Sequence, residues 1–152
     1  MQLTQFTDYS LRILLYLAHH PPQDGERLPA VLDISRAYGI STNHLSKVAR
    51  LLVQNGFVKA TRGRNGGLQL ARQPEEINLG DVVRRSEPHF DLVECFDMRE
   101  NTCPIVGACA LKGVLVEAKR NFLATLEKQT LADVAGTRVK LVQLWKATRA
   151  SQ

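Results

Sequence analysis

The sequence has few cysteines, few aromatic residues and no long apolar run. Three cysteines stand among 152 residues, and an odd number of thiols cannot all pair within one chain. Because the cytosol keeps thiols reduced, this usage favours a cytoplasmic protein over a secreted, disulfide-stapled one. No run approaches the roughly 18 apolar residues that a membrane span needs, and the opening MQLTQFTDYS lacks the features of a secretory signal. We therefore expect a cytoplasmic protein without a membrane segment.

Acidic residues are missing from one long stretch of the chain, between Ile34 and Pro74. The stretch contributes +7 to a chain whose net charge is +5, so the remainder sums to −2. Its basic residues are Arg36, Lys47, Arg50, Lys59, Arg62, Arg64 and Arg72. Clustered positive charge without acids is expected of a surface that faces phosphates, whereas an ordinary solvated basic face usually includes some acids. The charge distribution therefore favours a nucleic-acid partner.

Hydrophobic periodicity predicts three helices in the first half of the chain, over 4–18, 31–38 and 41–55. Gly39 suits the left-handed residue that ends a helix, and Ser41 suits the N-cap of the third helix. The third helix has a polar, basic face opposite an apolar stripe. The stripe consists of Leu45, Val48, Ala49 and Leu52. Such a helix packs its back and exposes its front.

A β-hairpin is predicted directly after these helices. Two short β-like segments, 57–61 and 68–70, flank a glycine-rich turn, and Asn65-Gly66 is a strong hairpin signal. Helix, glycine turn, helix and hairpin is the order of a winged helix-turn-helix. We predict a fold that is mainly α with a small β wing, in which residues 1–85 form a DNA-binding domain.

The candidate DNA contacts follow from how this motif binds. A recognition helix enters the major groove with its N-terminal turns facing the base edges, where Asn pairs with adenine and Lys or Arg with guanine or phosphate. Arginines on a glycine-rich wing suit phosphates or the narrow minor groove. The predicted contacts are Thr42, Asn43, His44, Ser46, Lys47 and Arg50 on the helix, with Arg62 and Arg64 on the wing.

The second half divides into an irregular loop over 86–110, a helix over 111–136 and a basic tail over 137–152. The helix has apolar residues at near-heptad spacing, namely Leu111, Leu115, Ala118, Phe122 and Leu126. This stripe predicts packing either against a second subunit or against the helix's own domain, and the pattern leaves both open. The tail contains the only tryptophan, Trp145, and is predicted to be either a docked helix or a mobile segment.

All three cysteines lie in the irregular loop. The gaps between Cys95, Cys103 and Cys109 are wider than the tight pairs of structural zinc sites, whereas iron–sulfur clusters accept thiolates from irregular loops. Clusters normally have four ligands, so a cluster here needs one further donor. Three buried, inert thiols are the alternative. The other functional classes are an electron-transfer protein and a regulator that senses through thiols or a partner protein without a cluster. No histidine has an evident nucleophile partner, so we predict no enzyme activity.

The sequence resembles the Rrf2 family of bacterial winged-helix regulators, and within it the repressors that sense nitric oxide. The resemblance extends to about Gly136 and leaves the tail uncovered. It depends on the segments LTQFTDYSLRILLYLA, YGISTNHLSKVARLLVQNGFV, TRGRNGGLQLAR and INLGDVVR, and on the three-cysteine loop followed by LK. The resemblance implies a homodimer that binds a palindromic operator in double-stranded DNA and represses transcription.

The resemblance also implies that the three cysteines hold an iron–sulfur cluster, either 2Fe-2S or 4Fe-4S. In the nitric-oxide sensors of the family the fourth ligand is an aspartate near the N-terminus of the partner subunit, and Asp8 stands at the matching position. An acid in the first turn of a helix also stabilises the helix dipole, which is the ordinary explanation of Asp8. His89 and Glu94 are the other candidates for the fourth ligand. Relatives that sense cluster supply place a histidine where this chain has Lys112.

Overall fold

The computed structural model describes residues 2–136 and 141–145, which are mainly helical with one two-stranded antiparallel sheet. In chain order the elements are α1 (Gln5–His19), α2 (Val31–Tyr38), α3 (Thr42–Gln54), β1 (Val58–Thr61), β2 (Gly67–Leu70), α4 (Leu79–Ser86), α5 (Ala110–Glu127) and α6 (Leu131–Ala135). Single 3₁₀ turns occur at Pro74–Glu76 and Glu94–Phe96, and residues 141–145 are again helical. The predicted fold class, mainly α with a small β wing, is confirmed.

The boundaries of the first three helices follow from their capping residues. The Thr4 hydroxyl accepts a hydrogen bond from the Thr7 amide at the start of α1. Gly39 has a φ of 66° in the left-handed region after α2, as predicted, and the next amide, that of Ile40, donates to the Ser35 carbonyl. Ser41 is the N-cap of α3, but its side chain makes no capping hydrogen bond. The turn between α2 and α3 therefore depends on Gly39 and not on a capping side chain at Ser41.

The predicted apolar stripe of α3 is confirmed as part of the core. Leu45, Val48, Ala49 and Leu52 are all buried and pack in one cluster with residues of α1, α2 and β1. Helix α1 is central to this arrangement, because it packs against α3, α4 and α6. Because α1 and α3 are closely packed, a displacement of α1 would also shift α3.

The hairpin forms the predicted wing, but its turn differs in detail from a simple Asn-Gly turn. Thr61 pairs with Gly67, and the Gly66 amide donates to the Gly63 carbonyl over 3.0 Å, so Arg64 and Asn65 occupy the centre of the turn. The residue with positive φ is Gly63, at 109°, rather than Gly66. Both arginines of the turn thus lie where the chain reverses direction, without bulky neighbours.

The base of the wing rests on the segment that precedes α2. The Leu68 amide donates to the Pro29 carbonyl over 2.8 Å, and the Leu28 amide donates to the Asn65 carbonyl over 3.3 Å. A Cβ atom on Gly67 would lie 2.6 Å from the carbonyl oxygens of Leu28 and Pro29. Only glycine allows this close approach of two backbones.

Helix α5 buries side chains on its own chain mainly near its C-terminal end. Leu123 is the only residue of α5 that is buried, and the end of the helix contacts α4, where the Asn78 side-chain amide donates to the Glu127 carbonyl over 2.7 Å. Nearer its start, Leu111 and Val114 are each 63% exposed. Packing on its own domain, one of the two predicted alternatives for the apolar stripe, therefore explains only the apolar residues in the last turns of α5.

Trp145 belongs to the core. Its side chain is 7% exposed, and its ring lies 5.1 Å from Tyr16 and 5.7 Å from Tyr38 between ring centroids. Burial raises the pKa of the Tyr38 hydroxyl to about 12. Residues 141–145 of the predicted tail are thus a docked helical segment, while 137–140 and 146–152 lie outside the described residues.

Candidate DNA interface and thiol loop

The exposed face of α3 carries the residues predicted to contact DNA. Thr42 is half-buried at the start of the helix, and the other five predicted residues are exposed on its outer face. They are Asn43, His44, Ser46, Lys47 and Arg50. The opposite face holds the fully packed apolar stripe, so the front of α3 is fixed in one orientation relative to the core.

Ion pairing divides the arginines of the chain into two groups. Outside the acid-free stretch Ile34–Pro74, every described arginine forms an ion pair with a nearby carboxylate; these are Arg12, Arg27, Arg84, Arg85, Arg99 and Arg120. Within the stretch, all seven basic side chains are exposed, and none of them forms an ion pair with a residue that the structure describes. Their charge is therefore available to an external anion.

Arg62 and Arg64 are exposed on the wing. Three further exposed cations of the acid-free stretch were not among the predicted contacts: Arg36 on α2, Lys59 on β1 and Arg72 after β2. Arg72 also has a structural role, since its Nε donates to the Gly56 carbonyl over 3.2 Å. All three belong to the acid-free stretch of the sequence, but the winged helix-turn-helix motif identifies only residues of α3 and the wing as DNA contacts.

The cysteines lie on different parts of the loop between α4 and α5. Cys95 lies within the 3₁₀ turn Glu94–Phe96, and Cys109 immediately precedes α5. Cys103 lies outside regular secondary structure, and its backbone amide donates a hydrogen bond to the Asn101 side-chain oxygen over 3.2 Å. All three thiols are free and half-buried. The described residues contain no group of three or more His, Cys, Asp or Glu side chains that are placed to hold a metal ion.

The three candidates for a fourth ligand, Asp8, His89 and Glu94, each contact a different polar partner. Asp8 forms a hydrogen-bonded ion pair with Arg12, its neighbour one turn along α1, and this raises the pKa of the Arg12 guanidinium. His89 is exposed and lies 3.8 Å from a carboxylate oxygen of Asp91, while Glu94 accepts a hydrogen bond from the Thr102 hydroxyl over 3.4 Å. These contacts do not bring any of the three together with the thiols.

Asp97 lies between the first two cysteines but is committed to another partner. Hydrogen bonds from the Arg99 side chain and backbone lower the pKa of the Asp97 carboxyl to about 2. Three free, half-buried thiols on one irregular loop have the donor chemistry that an iron–sulfur cluster requires, once the loop gathers them and a fourth donor joins.

A winged helix with this basic surface occurs in a known family of regulators. The family model described as Rrf2, iron-dependent transcriptional regulator, matches residues 3–137. This chain belongs to the Rrf2 family. It is 49% identical over 134 residues to the HTH-type transcriptional regulator NsrR of Shouchella clausii, covering 88% of both chains. It is 47% identical over 146 residues to NsrR of Bacillus subtilis, covering 96% of this chain and 98% of that protein.

Solved structures of the Rrf2 type have the same fold. CymR, described as the global cysteine regulator of B. subtilis, matches with a TM-score of 0.69 at 25% identity and covers 89% of this chain and 96% of that chain. IscR of T. potens matches with a TM-score of 0.67 at 27% identity and covers 88% and 85% of the two chains.

The Rrf2 relatives also test the broader predictions. They are named as transcriptional regulators, so this chain is a DNA-binding transcriptional regulator of the Rrf2 family, and the prediction that it is not an enzyme is confirmed. None of the helices in residues 2–136 and 141–145 has the length and apolar character that crossing a bilayer requires.

Proposed function

We propose that this regulator is a homodimeric repressor whose binding to a palindromic operator is controlled by an iron–sulfur cluster that senses nitric oxide. The proposal combines the exposed basic face of α3 and the wing with the free thiols of the loop. The similarity to relatives named NsrR over almost the whole chain supports this branch of the family.

The observation that carries the DNA-binding part is the contrast in ion pairing. Arginines elsewhere in the described chain are neutralised by carboxylates, whereas those of Ile34–Pro74 are not. We assign base contacts to Asn43 and its neighbours on α3, and phosphate or minor-groove contacts to Arg62 and Arg64. The full predicted set is Thr42, Asn43, His44, Ser46, Lys47, Arg50, Arg62 and Arg64.

Homodimerisation is supported by the unpacked start of α5. Leu111, Val114 and Val116 are exposed there, and a helix that presents large apolar residues to solvent is typical of a subunit interface. A two-fold axis at α5 pairs two recognition helices with two half-sites of a palindrome. Such half-sites lie about 34 Å apart, or one turn of DNA.

The cluster is proposed to be held by Cys95, Cys103 and Cys109 of one subunit and by Asp8 of the other. The donor chemistry fits, because the thiols are free and Asp8 is half-exposed near the start of α1. When bound, a cluster would supply iron that can coordinate nitric oxide. Ligation by Asp8 ties the loop of one subunit to α1 of its partner.

Control of DNA binding then follows from the position of α1. Because α1 packs directly against α3, restraining Asp8 restrains the recognition helix. Without this restraint on Asp8, α1 would be freer to shift, which would alter the spacing of the two recognition helices and weaken specific binding. The genes released from repression would be those that remove nitric oxide, as the resemblance implies.

A second candidate is a regulator of the same fold that senses redox state through its thiols or acts with a partner protein, without a cluster. The separate positions of the three thiols in the described chain favour it. Visible absorbance of anaerobically purified protein distinguishes the two, since only a bound cluster absorbs there.

The experiment that tests the proposed function uses a fluorescent palindromic duplex obtained by in vitro selection with the anaerobic protein. We expect the dimer to bind the duplex and to release it on addition of nitric oxide. Release that occurs equally in a Cys103→Ser variant, or no release at all, would contradict control through the cluster.

A further inference from the structure

The start of α1 lies beside the recognition helix α3. Three residues of each helix line a cleft of about 100 Å³ between them, namely Gln5, Phe6 and Tyr9 of α1 with His44, Lys47 and Val48 of α3. Gln5 and Tyr9 are one turn apart, so they share a face of α1. A row of polar groups on α1 thus runs alongside the basic face of α3.

The position of this cleft relative to DNA follows from helix geometry. Asn43 lies near the middle of the exposed face of α3, Lys47 lies on the side of that face that borders α1, and His44 lies further round on the flank. The major groove is about 12 Å wide and a helix with its side chains is about 10–12 Å across. If the middle of the exposed face of α3 contacts the bases in the major groove, its flank and the adjoining residues of α1 lie next to the phosphates that border the groove.

The two α1 side chains have free donors. Gln5 is exposed and Tyr9 is half-buried with its ring packed against the core, which leaves the polar tip for another partner. Within residues 2–136 and 141–145, neither the Gln5 amide nor the Tyr9 hydroxyl has a hydrogen-bond partner. A free donor beside a basic surface suits a phosphate oxygen.

We propose that Gln5 and Tyr9 extend the DNA interface onto α1 by donating hydrogen bonds to backbone phosphates next to the recognition helix. The inference depends on the proposed docking of α3 in the major groove. Both donors are uncharged, so they contribute affinity without releasing counterions. Because Tyr9 follows Asp8 on the same helix, the proposed cluster ligand and the phosphate contact move together.

The first test compares Gln5→Ala, Tyr9→Phe and their combination with the wild-type protein on an operator duplex and an unrelated duplex. We expect the double variant to bind both duplexes about threefold to tenfold more weakly. The salt dependence of binding should keep its wild-type slope, whereas Lys47→Ala should lower that slope by about 1. Gln23→Ala, in the exposed loop after α1, is the matched control and should bind as wild type.

A second test identifies the phosphate and excludes a purely structural effect. Duplexes in which single phosphates beside a half-site are replaced by uncharged methylphosphonates should weaken wild-type binding at several positions. At one of these positions Tyr9→Phe should be insensitive to the replacement, since its hydrogen bond is already absent. A loss of stability in the variant would weaken binding to every duplex equally and would show no such position.

The inference is overturned if the double variant binds both duplexes with wild-type affinity, or if its loss is confined to the operator. It is also overturned if Tyr9→Phe responds to every methylphosphonate as the wild type does. If Lys47→Ala has no effect on affinity or salt slope either, the proposed docking of α3 fails. If Lys47→Ala weakens binding while the double variant does not, only the role of α1 fails.

Discussion

Asp8 and Arg12 form an ion pair one turn apart on α1, with Arg12 Nη2 lying 2.8 Å from Asp8 Oδ2. Their side chains are 44% and 42% exposed, respectively, and exposed pairs at this spacing contribute only about 0.3–0.5 kcal/mol. An interaction of this size does not prevent Asp8 from exchanging Arg12 for a metal ligand bond. The structure thus leaves the proposed fourth ligand accessible.

Replacing Asp8 by Ala should shorten the lifetime of a bound cluster in nitric oxide, because one of its four proposed ligands is lost. The decay of visible absorbance in stopped-flow mixing measures this lifetime. Asp81→Ala is a matched control, since Asp81 also lies in the first turn of a helix and pairs with an arginine four residues on. Decay at the wild-type rate in Asp8→Ala would remove Asp8 from the ligand set.

Replacing Arg64 by Ala should weaken DNA binding and lower the magnitude of the salt slope by about 1, because one phosphate contact on the wing is lost. Fluorescence anisotropy at several salt concentrations measures both. Arg120→Ala removes an exposed arginine that is already ion-paired on α5 and should leave the slope unchanged. An Arg64→Ala slope equal to that of the wild type would argue against a wing contact.

Replacing Gly67 by Ala should displace the wing, because the new Cβ would lie 2.6 Å from two backbone carbonyl oxygens. Steric conflicts of this kind typically cost about 1–3 kcal/mol. We expect a lower midpoint in urea unfolding and weaker operator binding. Gly107→Ala, where a Cβ meets nothing within 4 Å and φ is not in the left-handed region, should instead leave the midpoint nearly unchanged. Equal midpoints for the two variants would show that the wing base tolerates a side chain.

Replacing Val114 by Glu should convert the dimer into monomers, because it places a charge in the apolar surface at the start of α5. Sedimentation velocity measures the change. Leu32→Glu alters a comparably apolar position on α2, which is 46% exposed, and should leave the dimer intact. A Val114→Glu dimer as stable as the wild type would place the subunit interface elsewhere.

Local patterns predicted the first half of the fold well. The periodicity at Leu45, Val48, Ala49 and Leu52 and the glycine stop at Gly39 depend on nearby residues only, and each is found as predicted. The turn of the wing was predicted less accurately, because the sequence offers three glycines and only the backbone path decides which of them adopts positive φ.

Contacts between distant segments were beyond sequence reasoning. Trp145 packs between the ends of α1 and α2, and no local signal distinguishes such docking from a mobile tail. The gathering of Cys95, Cys103 and Cys109 likewise depends on a bound group and on a second subunit, neither of which a spacing pattern specifies. The residue types of the thiol loop were therefore predictable, but their arrangement was not.

The most direct test of the central claim is the ratio of operator affinities for cluster-loaded and chelator-stripped protein, measured anaerobically at one salt concentration. Coupling between a ligand and a distant binding surface typically changes affinity between about 5-fold and 150-fold. We expect loaded protein to bind its operator more tightly by a factor in that range, and both forms to bind unrelated DNA equally. Equal operator affinities for the two forms would contradict control of DNA binding by the thiol loop.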